Sequence, residues 1–291
     1  MIYGSMVALI TPFNDDGSVN YNKIKELLTW HMEQGTDGIV VLGTTAETPA
    51  LTVTEKDEIV RLALETCKGK VPIIVGSGSN NTMVAREQSV KYEKMGADGL
   101  LVVTPYYNKA NKAGMIQHYT EIADAVNIPV YVYNVPGRTG VKITYDALAE
   151  ISKHKNIAGI KEASGDISFV AQASRLINDN FTVYSGNDDM IIPLMSLGGA
   201  GVISVLANIL PKQTKELVHA YLEGDTKKAS QMQLHYLDFI NALFIETNPI
   251  PIKEAMNLLG MGVGGYRLPL CGMEESTKAK LIDTMKKINL L

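Results

Sequence analysis

The sequence is poor in cysteine, and it has no excess of positive charge. Its 291 residues include two cysteines, Cys67 and Cys271, whose spacing matches no disulfide framework, metal site or redox motif. We expect both to be free thiols in a reducing cytoplasm. The formal net charge is -4, with no basic stripe, which argues against a nucleic-acid-binding protein. The five histidines are scattered, so we also expect no metal site.

Long apolar segments are scarce as well. Residues 190–211 carry no charge and are numerous enough to span a bilayer. However, Pro193, three glycines, Ser204 and Asn208 interrupt this segment. We predict a buried helix, a glycine turn and a short buried strand there. The N-terminal segment lacks a basic region before its short apolar run, so we interpret it as the first strand and expect no membrane association.

Short apolar runs, in contrast, recur along the first three quarters of the chain. Eight runs rich in Val, Ile and Leu are each followed by polar or turn-forming residues and then by a helical pattern. They occupy residues 5–10, 38–42, 72–76, 99–103, 129–133, 157–161, 181–185 and 201–205. Continuous apolar runs are typical of parallel strands buried on both faces. Eight strand–helix units predict an α/β protein with a (β/α)8 barrel, and a doubly wound open sheet is the alternative.

Helical patterns connect these runs and continue to the end of the chain. We predict N-caps at Asn20, Thr54 and Asp166, each just before an amphipathic segment. After Gly224 the patterns are helical only. The sequence therefore predicts a catalytic barrel over residues 1–224 and a C-terminal helical domain over residues 225–291. No low-complexity linker separates them, so we expect the helices to pack on the barrel.

In a (β/α)8 barrel the chemistry lies where the strands end, at the C-terminal face. The sixth run ends in Lys161 and the fifth in Tyr133. The threonine pair Thr44 and Thr45 follows the second run, and Arg138 lies in a turn after the fifth. Each of these has a structural explanation when taken alone: a solvated strand end, core packing, a hydrogen-bonded turn or a surface ion pair. Their shared position at strand ends is what favours an active site.

This set of residues suits chemistry that begins with an amine. A lysine enclosed in an apolar cavity loses the hydration of its charged form, which leaves more of the free amine. The free amine attacks a carbonyl carbon and forms a Schiff base, and the adjacent carbon can then lose a proton. Tyr133 is suited to move that proton. Backbone N–H groups of Thr44 and Thr45 and the guanidinium of Arg138 are suited to bind carboxylates.

Seven motifs connect these residues to a known family. They are GTTAET (43–48), TPYYN (104–108), YNVPGRTG (133–140), GIKEASGD (159–166), GND (186–188), GVISV (201–205) and NPIPIK (248–253). With these motifs in this order, the chain resembles the 4-hydroxy-tetrahydrodipicolinate synthase family of lysine-dependent pyruvate aldolases over its whole length. The arginine of YNVPGRTG and the paired threonines favour this family over its sister aldolases.

The resemblance implies roles for five side chains. Lys161 would form the Schiff base with pyruvate, and Tyr133 would move protons to and from the adduct. Thr45 would link Tyr133 to Tyr107, which members of this family donate across a tight dimer interface. Thr44 would neighbour this relay. The backbone amides of Thr44 and Thr45 would hold the pyruvate carboxylate.

The resemblance also implies the second substrate and the biological setting. Arg138 would hold the carboxylate of L-aspartate-4-semialdehyde, while Gly186 and Ile203 would line the pocket, the latter through its carbonyl group. The reaction would be that of a lyase yielding 4-hydroxy-2,3,4,5-tetrahydrodipicolinate for diaminopimelate and lysine biosynthesis in the cytoplasm. Family members need no metal or organic cofactor. They are usually homotetramers built as dimers of dimers.

Two departures from the family pattern are informative. Ala46 replaces a usual glycine, a small change. The positions that match the feedback site for lysine in inhibited members are Val53, Lys56, Asn80, Val84 and Tyr106. A cationic ligand would lose a carboxylate partner at Val84 and meet a like charge at Lys56. We therefore predict that lysine inhibits weakly or not at all.

Two rival functions remain open from the residues alone. A sister aldolase, such as N-acetylneuraminate lyase or a keto-deoxy sugar acid aldolase, would share Lys161 and Tyr133, and Arg138 argues against it. A non-catalytic barrel that binds a ligand is the more distant rival. Glu162 follows Lys161 in the strand, so we expect its side chain to point away from the barrel interior and exclude it from the catalytic set.

Overall fold

A computed structural model, which describes residues 2–291, contains a closed barrel of eight parallel strands. The strands are β1 (Gly4–Ala8), β2 (Gly38–Val41), β3 (Ile73–Gly76), β4 (Gly99–Val103), β5 (Val130–Asn134), β6 (Ile157–Glu162), β7 (Thr182–Ser185) and β8 (Gly201–Ser204). Each strand pairs with the next, and β8 closes on β1. The (β/α)8 prediction is confirmed, and the open-sheet alternative is wrong.

Helices connect the strands and cover the barrel. They are α1 (Tyr21–Glu33), α2 (Val53–Cys67), α3 (Thr82–Met95), α4 (Lys112–Asp124), α5 (Pro136–Thr139), α6 (Tyr145–Ile151), α7 (Ile167–Ser174), α8 (Ile191–Met195), α9 (Pro211–Leu222), α10 (Thr226–Ala242), α11 (Ile250–Leu258) and α12 (Glu275–Lys287). Single 3-10 turns lie at Thr44–Ala46, Thr48–Ala50, Asp188–Met190 and Leu206–Asn208.

The predicted helix starts are confirmed at Asn20 and Asp166, whose side chains cap α1 and α7. The predicted cap at Thr54 is wrong. Thr52 caps α2 instead, because its hydroxyl accepts from the N–H of Glu55 and the Glu55 carboxylate accepts from the N–H of Thr52. This reciprocal pair is a capping box, which satisfies two backbone donors at once.

Side chains alternate between two apolar layers. The barrel interior is filled by inward-facing residues such as Val40, Ile74 and Tyr131, while Ile39 and Val132 face the surrounding helices. Such alternation follows from the two-residue period of a strand. Because the interior is packed rather than open, room for a ligand exists only where the strands end.

The uncharged segment 190–211 forms the predicted buried helix, glycine turn and short strand, as α8 and β8. No helix in residues 2–291 is both long and apolar enough to cross a membrane. The helices after residue 224 pack on the barrel as expected. Phe239, Ile252 and Leu281 belong to the same apolar core as the barrel helices. A division of the chain at residue 224 stays a prediction.

Candidate active site

Lys161 lies inside the barrel near the C-terminal end of β6. Its neighbours in register are Tyr133 on β5 and Tyr184 on β7, and all three are buried. The Nζ atom of Lys161 lies 4.5 Å from the ring centroid of Tyr133. Among the described residues, Nζ has no hydrogen-bond acceptor. A buried amine without an acceptor, directly beside a phenol, is the arrangement expected for Schiff-base chemistry.

Gly186 leaves the space that the Lys161 side chain occupies. A Cβ atom at this position would lie 3.1 Å from Cε of Lys161 and 2.6 Å from Cβ of Ala163. Any larger residue would therefore displace the lysine or the strand beside it. Ile203 is also buried in the interior, on β8 opposite Met6 of β1. Both predicted lining residues thus belong to the barrel interior at or near the end of a strand.

Asp188, two residues after Gly186, secures the end of β8. Its carboxylate accepts hydrogen bonds from the hydroxyl of Ser204 at 2.5 Å and from the N–H groups of Val205 and Leu206 at 2.9 and 3.0 Å. Burial raises the pKa of Asp188, while these donors and the positive charge of Lys161 oppose that rise. The carboxylate stabilises the turn that begins where Ile203 leaves the barrel.

Residues 43–48, here called the threonine loop, place Thr44 and Thr45 at the start of a 3-10 turn. Backbone donors at the first positions of such a turn have no acceptor within it, so they are free to bind an anion. The hydroxyl of Thr11 holds the carbonyl of Ala46 at 2.8 Å, and Thr48 holds that of Gly43 at 2.8 Å. The loop is therefore rigid before any ligand arrives.

A buried ion pair anchors this loop to the C-terminal helices. Nζ of Lys253, on α11, lies 2.9 Å from Oε1 of Glu47 and 3.0 Å from the carbonyl oxygen of Thr11. It also donates to the carbonyl of Gly265. Burial lowers the pKa of Lys253, and the carboxylate of Glu47 counteracts this effect. Glu47 itself has a left-handed backbone with φ of 52°, an uncommon conformation for a residue other than glycine.

Asn248, just before α11, connects the loop to the arginine. Its Nδ2 donates to Oγ1 of Thr45 at 3.0 Å, and its main-chain oxygen accepts from Nη2 of Arg138 at 2.9 Å. Arg138 is exposed, in α5 directly after β5. The predicted carboxylate-binding groups that follow β2 and β5 are thus joined through one residue of the C-terminal region.

A cavity of about 480 Å³ opens at this end of the barrel. Thr44, Tyr133 and Arg138 are among the residues that line it. Thr45 does not line it, and its only side-chain hydrogen bond among the described residues is with Asn248. The predicted link from Tyr133 through Thr45 is therefore not formed in this chain alone. Thr44 is the threonine that faces the same cavity as Tyr133.

The predicted feedback positions are divided among different surroundings. Lys56, Val84 and Tyr106 line the same cavity as Tyr133, and burial lowers the pKa of Lys56. Asn80 borders a neighbouring cavity, and Val53 is largely exposed. Three of the five positions therefore belong to the cavity that Tyr133 and Arg138 also line.

Tyr107 does not line the cavity that Tyr133 and Arg138 share. Its side chain is 89% exposed, and its backbone φ is 68°. A bulky residue with positive φ is strained, and such strain is concentrated at functional positions. Glu162 faces outward from the barrel, as expected, where it accepts from Asn134 at 2.7 Å and from the N–H of Ser164 at 2.6 Å. Burial raises the pKa of Glu162.

A model of the dihydrodipicolinate synthetase family matches residues 1–288. The chain belongs to this family. It is 50% identical to 4-hydroxy-tetrahydrodipicolinate synthase 1 of Clostridium acetobutylicum, over 99% of this chain and 98% of that relative. It is 48% identical to the 4-hydroxy-tetrahydrodipicolinate synthase of Clostridium perfringens, over 100% of both chains. The dihydrodipicolinate synthase of Thermotoga maritima superposes with a TM-score of 0.97 at 40% identity, over 100% of both chains.

The family resemblance predicted from the seven motifs is confirmed. Sequence reasoning nevertheless missed two residues around the candidate site. Asn248 and Lys253 lie in the motif NPIPIK, which carried the resemblance without a stated role. A signal was present in Lys253, because a lysine inside an apolar helical segment needs a buried partner.

Proposed function

We propose that the chain condenses pyruvate with L-aspartate-4-semialdehyde to give 4-hydroxy-2,3,4,5-tetrahydrodipicolinate, as a lyase of diaminopimelate and lysine biosynthesis. The observation that carries this proposal is the Lys161 amine, buried without an acceptor 4.5 Å from the ring centroid of Tyr133. The names of the relatives support it, since those at about half identity are 4-hydroxy-tetrahydrodipicolinate synthases.

The proposed reaction begins at Nζ of Lys161. The amine attacks the keto carbon of pyruvate, water leaves, and a protonated imine forms. The methyl carbon then loses a proton, with Tyr133 as the group that transfers it, and becomes an enamine carbon. The backbone N–H groups of Thr44 and Thr45 would hold the pyruvate carboxylate, since they lie at the start of a 3-10 turn.

The second half of the reaction joins the aldehyde. The enamine carbon attacks the aldehyde carbon of the semialdehyde, whose carboxylate would bind Arg138 at the cavity mouth. The amino group of this substrate then attacks the former keto carbon and displaces Lys161, which closes the ring. A sugar acid aldolase would instead present neutral groups to a polyol chain, and the exposed guanidinium of Arg138 disfavours that rival.

Borohydride trapping tests the first step. Reduction in the presence of pyruvate should add one pyruvate-derived mass to the peptide that contains Lys161. Lys253 is a matched internal control, because it is also buried but bonded to Glu47 and two carbonyl groups. No adduct on a folded protein would favour the non-catalytic barrel. A coupled assay with the semialdehyde against sialic acid then separates the synthase from its sister aldolases.

We also propose that lysine inhibits weakly or not at all. Around the described cavity no lining residue is Asp or Glu, and the charged ones are Lys56 and Arg138. A missing charge-assisted hydrogen bond costs about 1.5–3 kcal/mol, or about ten- to a hundredfold in affinity. Titration with lysine up to about 10 mM should leave the rate nearly unchanged. Strong inhibition at millimolar lysine would contradict this proposal.

Finally, we propose a cytoplasmic homotetramer, a dimer of dimers in which Tyr107 serves the neighbouring site. The exposure of Tyr107 outside its own cavity supports this arrangement. Mixing Tyr107→Phe with Lys161→Ala subunits tests it, because a hybrid dimer would then contain one complete site. Activity should return on mixing if the tyrosine crosses the interface, whereas no recovery would place it in its own subunit. Sedimentation gives the oligomeric state.

A further inference from the structure

Asn248 combines three features that a purely structural asparagine does not need. Its side chain is buried, with 5% exposure, and bonds the hydroxyl of Thr45. Its main-chain carbonyl bonds Arg138. Its Oδ1 atom is buried and has no hydrogen-bond partner among the described residues. Because buried polar atoms are nearly always paired, an amide left half satisfied beside two substrate-binding candidates indicates a functional position.

The direction of the bond to Thr45 has a chemical consequence. A threonine hydroxyl has one proton to donate and two lone pairs that accept. Since Nδ2 of Asn248 donates to Oγ1, it occupies one lone pair and leaves the proton of Thr45 for another acceptor. Accepting this bond also polarises the hydroxyl and makes it a stronger donor. Thr45 has no other side-chain hydrogen bond in the described structure, so this proton is uncommitted.

We propose that Asn248 is a positioning residue that holds the buried Thr45 side chain and so keeps the backbone N–H groups of the threonine loop in place for the carboxylate of pyruvate. This inference rests on the proposed function, because it takes pyruvate as the ligand of this loop. The main-chain carbonyl of Asn248 holds Arg138 separately. The side chain and the backbone of one residue therefore serve the two different substrates.

Because the side chain and the backbone of Asn248 serve different substrates, a side-chain substitution should change the KM for pyruvate more than the KM for the semialdehyde. Asn248→Ala removes Nδ2 but keeps the carbonyl that Arg138 binds. We expect the KM for pyruvate to rise about tenfold, the effect of losing one oriented hydrogen bond to a charged group. The KM for the semialdehyde should stay within about twofold. A residue that only supported the fold would change both constants together.

Asn248→Asp reverses the bond in nearly the same volume. The new carboxylate would accept the proton of Thr45 and repel the pyruvate carboxylate, so the KM for pyruvate should rise further than in the alanine variant. The increase should shrink as the pH is lowered and the introduced carboxyl group takes up a proton. The wild-type protein should lack this additional pH dependence.

Three controls keep the test interpretable. Asn257→Ala removes an asparagine of α11 whose side chain bonds the N–H of Val263 at 2.8 Å and the carbonyl of Gly264 at 2.9 Å, away from the site. It should leave both Michaelis constants unchanged. Thr45→Val removes the same bond from the loop side, which covers the case in which Asn248→Ala does not fold. The double variant should show a non-additive effect on the KM for pyruvate.

Steady-state kinetics and borohydride trapping at graded pyruvate concentrations measure these effects. A selective rise in the pyruvate constant, non-additive with Thr45→Val, supports the proposal. The proposal would be overturned, with wild-type turnover intact, by equal changes in both Michaelis constants or by no change in either. It would also be overturned if the effects of Asn248→Ala and Thr45→Val on the KM for pyruvate were additive. If the wild-type protein neither traps pyruvate nor turns over, the proposed function fails first and this inference with it.

Discussion

Two lysines are buried among residues 2–291, and their surroundings differ in the hydrogen-bond partners of the amine. Lys161 lies in the barrel interior at 5% exposure, and Lys253 lies at the junction of the barrel and the C-terminal helices at 0%. Both amines lie over aromatic rings, Lys161 over Tyr133 and Lys253 over Phe13. Lys253 also donates to the carboxylate of Glu47 and to two carbonyl groups, whereas Lys161 has no acceptor among the described residues. Burial is therefore shared, and only the partners separate a structural lysine from a candidate nucleophile.

Burying an amine costs free energy at both positions, and this cost serves a different purpose at each. Leaving a buried amine without an acceptor keeps it available to attack a carbonyl carbon, which is useful only where such a substrate binds. Burying one with a carboxylate and carbonyl groups fixes a geometry, here the threonine loop on which Thr44 and Thr45 lie. The barrel thus holds the candidate nucleophile, while the C-terminal helices hold the threonine loop in place.

The largest expected effect follows from removing the unpaired amine. Lys161→Met should lower kcat/KM by at least about 10⁴-fold, as expected for the loss of a catalytic nucleophile. The free energy of unfolding should be unchanged or higher, because an apolar side chain replaces an amine without an acceptor. A coupled assay and urea unfolding measure the two quantities. A large loss of stability in this variant would remove the distinction between the two lysines.

Removing the paired amine should, in contrast, lower the stability of the fold. Lys253→Met leaves the carboxylate of Glu47 buried without its partner, so the free energy of unfolding should fall by about 3–5 kcal/mol. Lys278→Met is the matched control, since its ion pair with Glu254 is partly exposed and should contribute at most about 1 kcal/mol. Urea unfolding compares them. Equal effects of the two substitutions would contradict the role given to the buried pair.

A smaller effect is expected from the second ion pair at this junction. Hydrogen bonds from Arg267, which also bonds the carbonyl of Ala50, hold the pKa of Glu55 at about 2, below its ordinary value of 4.5. A carboxyl group with a lowered pKa stabilises the folded state above pH 4.5, and this contribution is lost as the pH falls from about 4.5 to about 2.

Glu55→Gln should therefore lower the free energy of unfolding at pH 7 by about 1 kcal/mol, because the pair is partly exposed. Its stability should also fall less steeply than that of the wild type between pH 4.5 and about 2. Urea unfolding at several pH values measures this, with Glu65→Gln as a control in the exposed pair with Arg61. Parallel curves for Glu55→Gln and the wild type would rule out the contribution of Glu55.

Much of the fold could be predicted, because its signals are local. All eight strands lie within two residues of their predicted ends, since each is a continuous apolar run followed by a turn. The cap of α2 was misplaced because Thr52 and Thr54 are equally acceptable as N-caps. The carboxylate that reaches back from Glu55 decides between them. That choice depends on a pair of side chains and not on residue type alone.

By itself, the sequence determined the barrel, the place of Lys161 at the end of a strand and the family. The spacing of the apolar runs and the order of the motifs can both be read directly from the chain. Only the tertiary structure decided which buried lysine is paired. It also decided that Asn248 bonds Thr45 and that Lys253 bonds Glu47, across 203 and 206 residues. Contacts at such separation leave no periodic trace, because they arise where residues 248–253 meet the threonine loop.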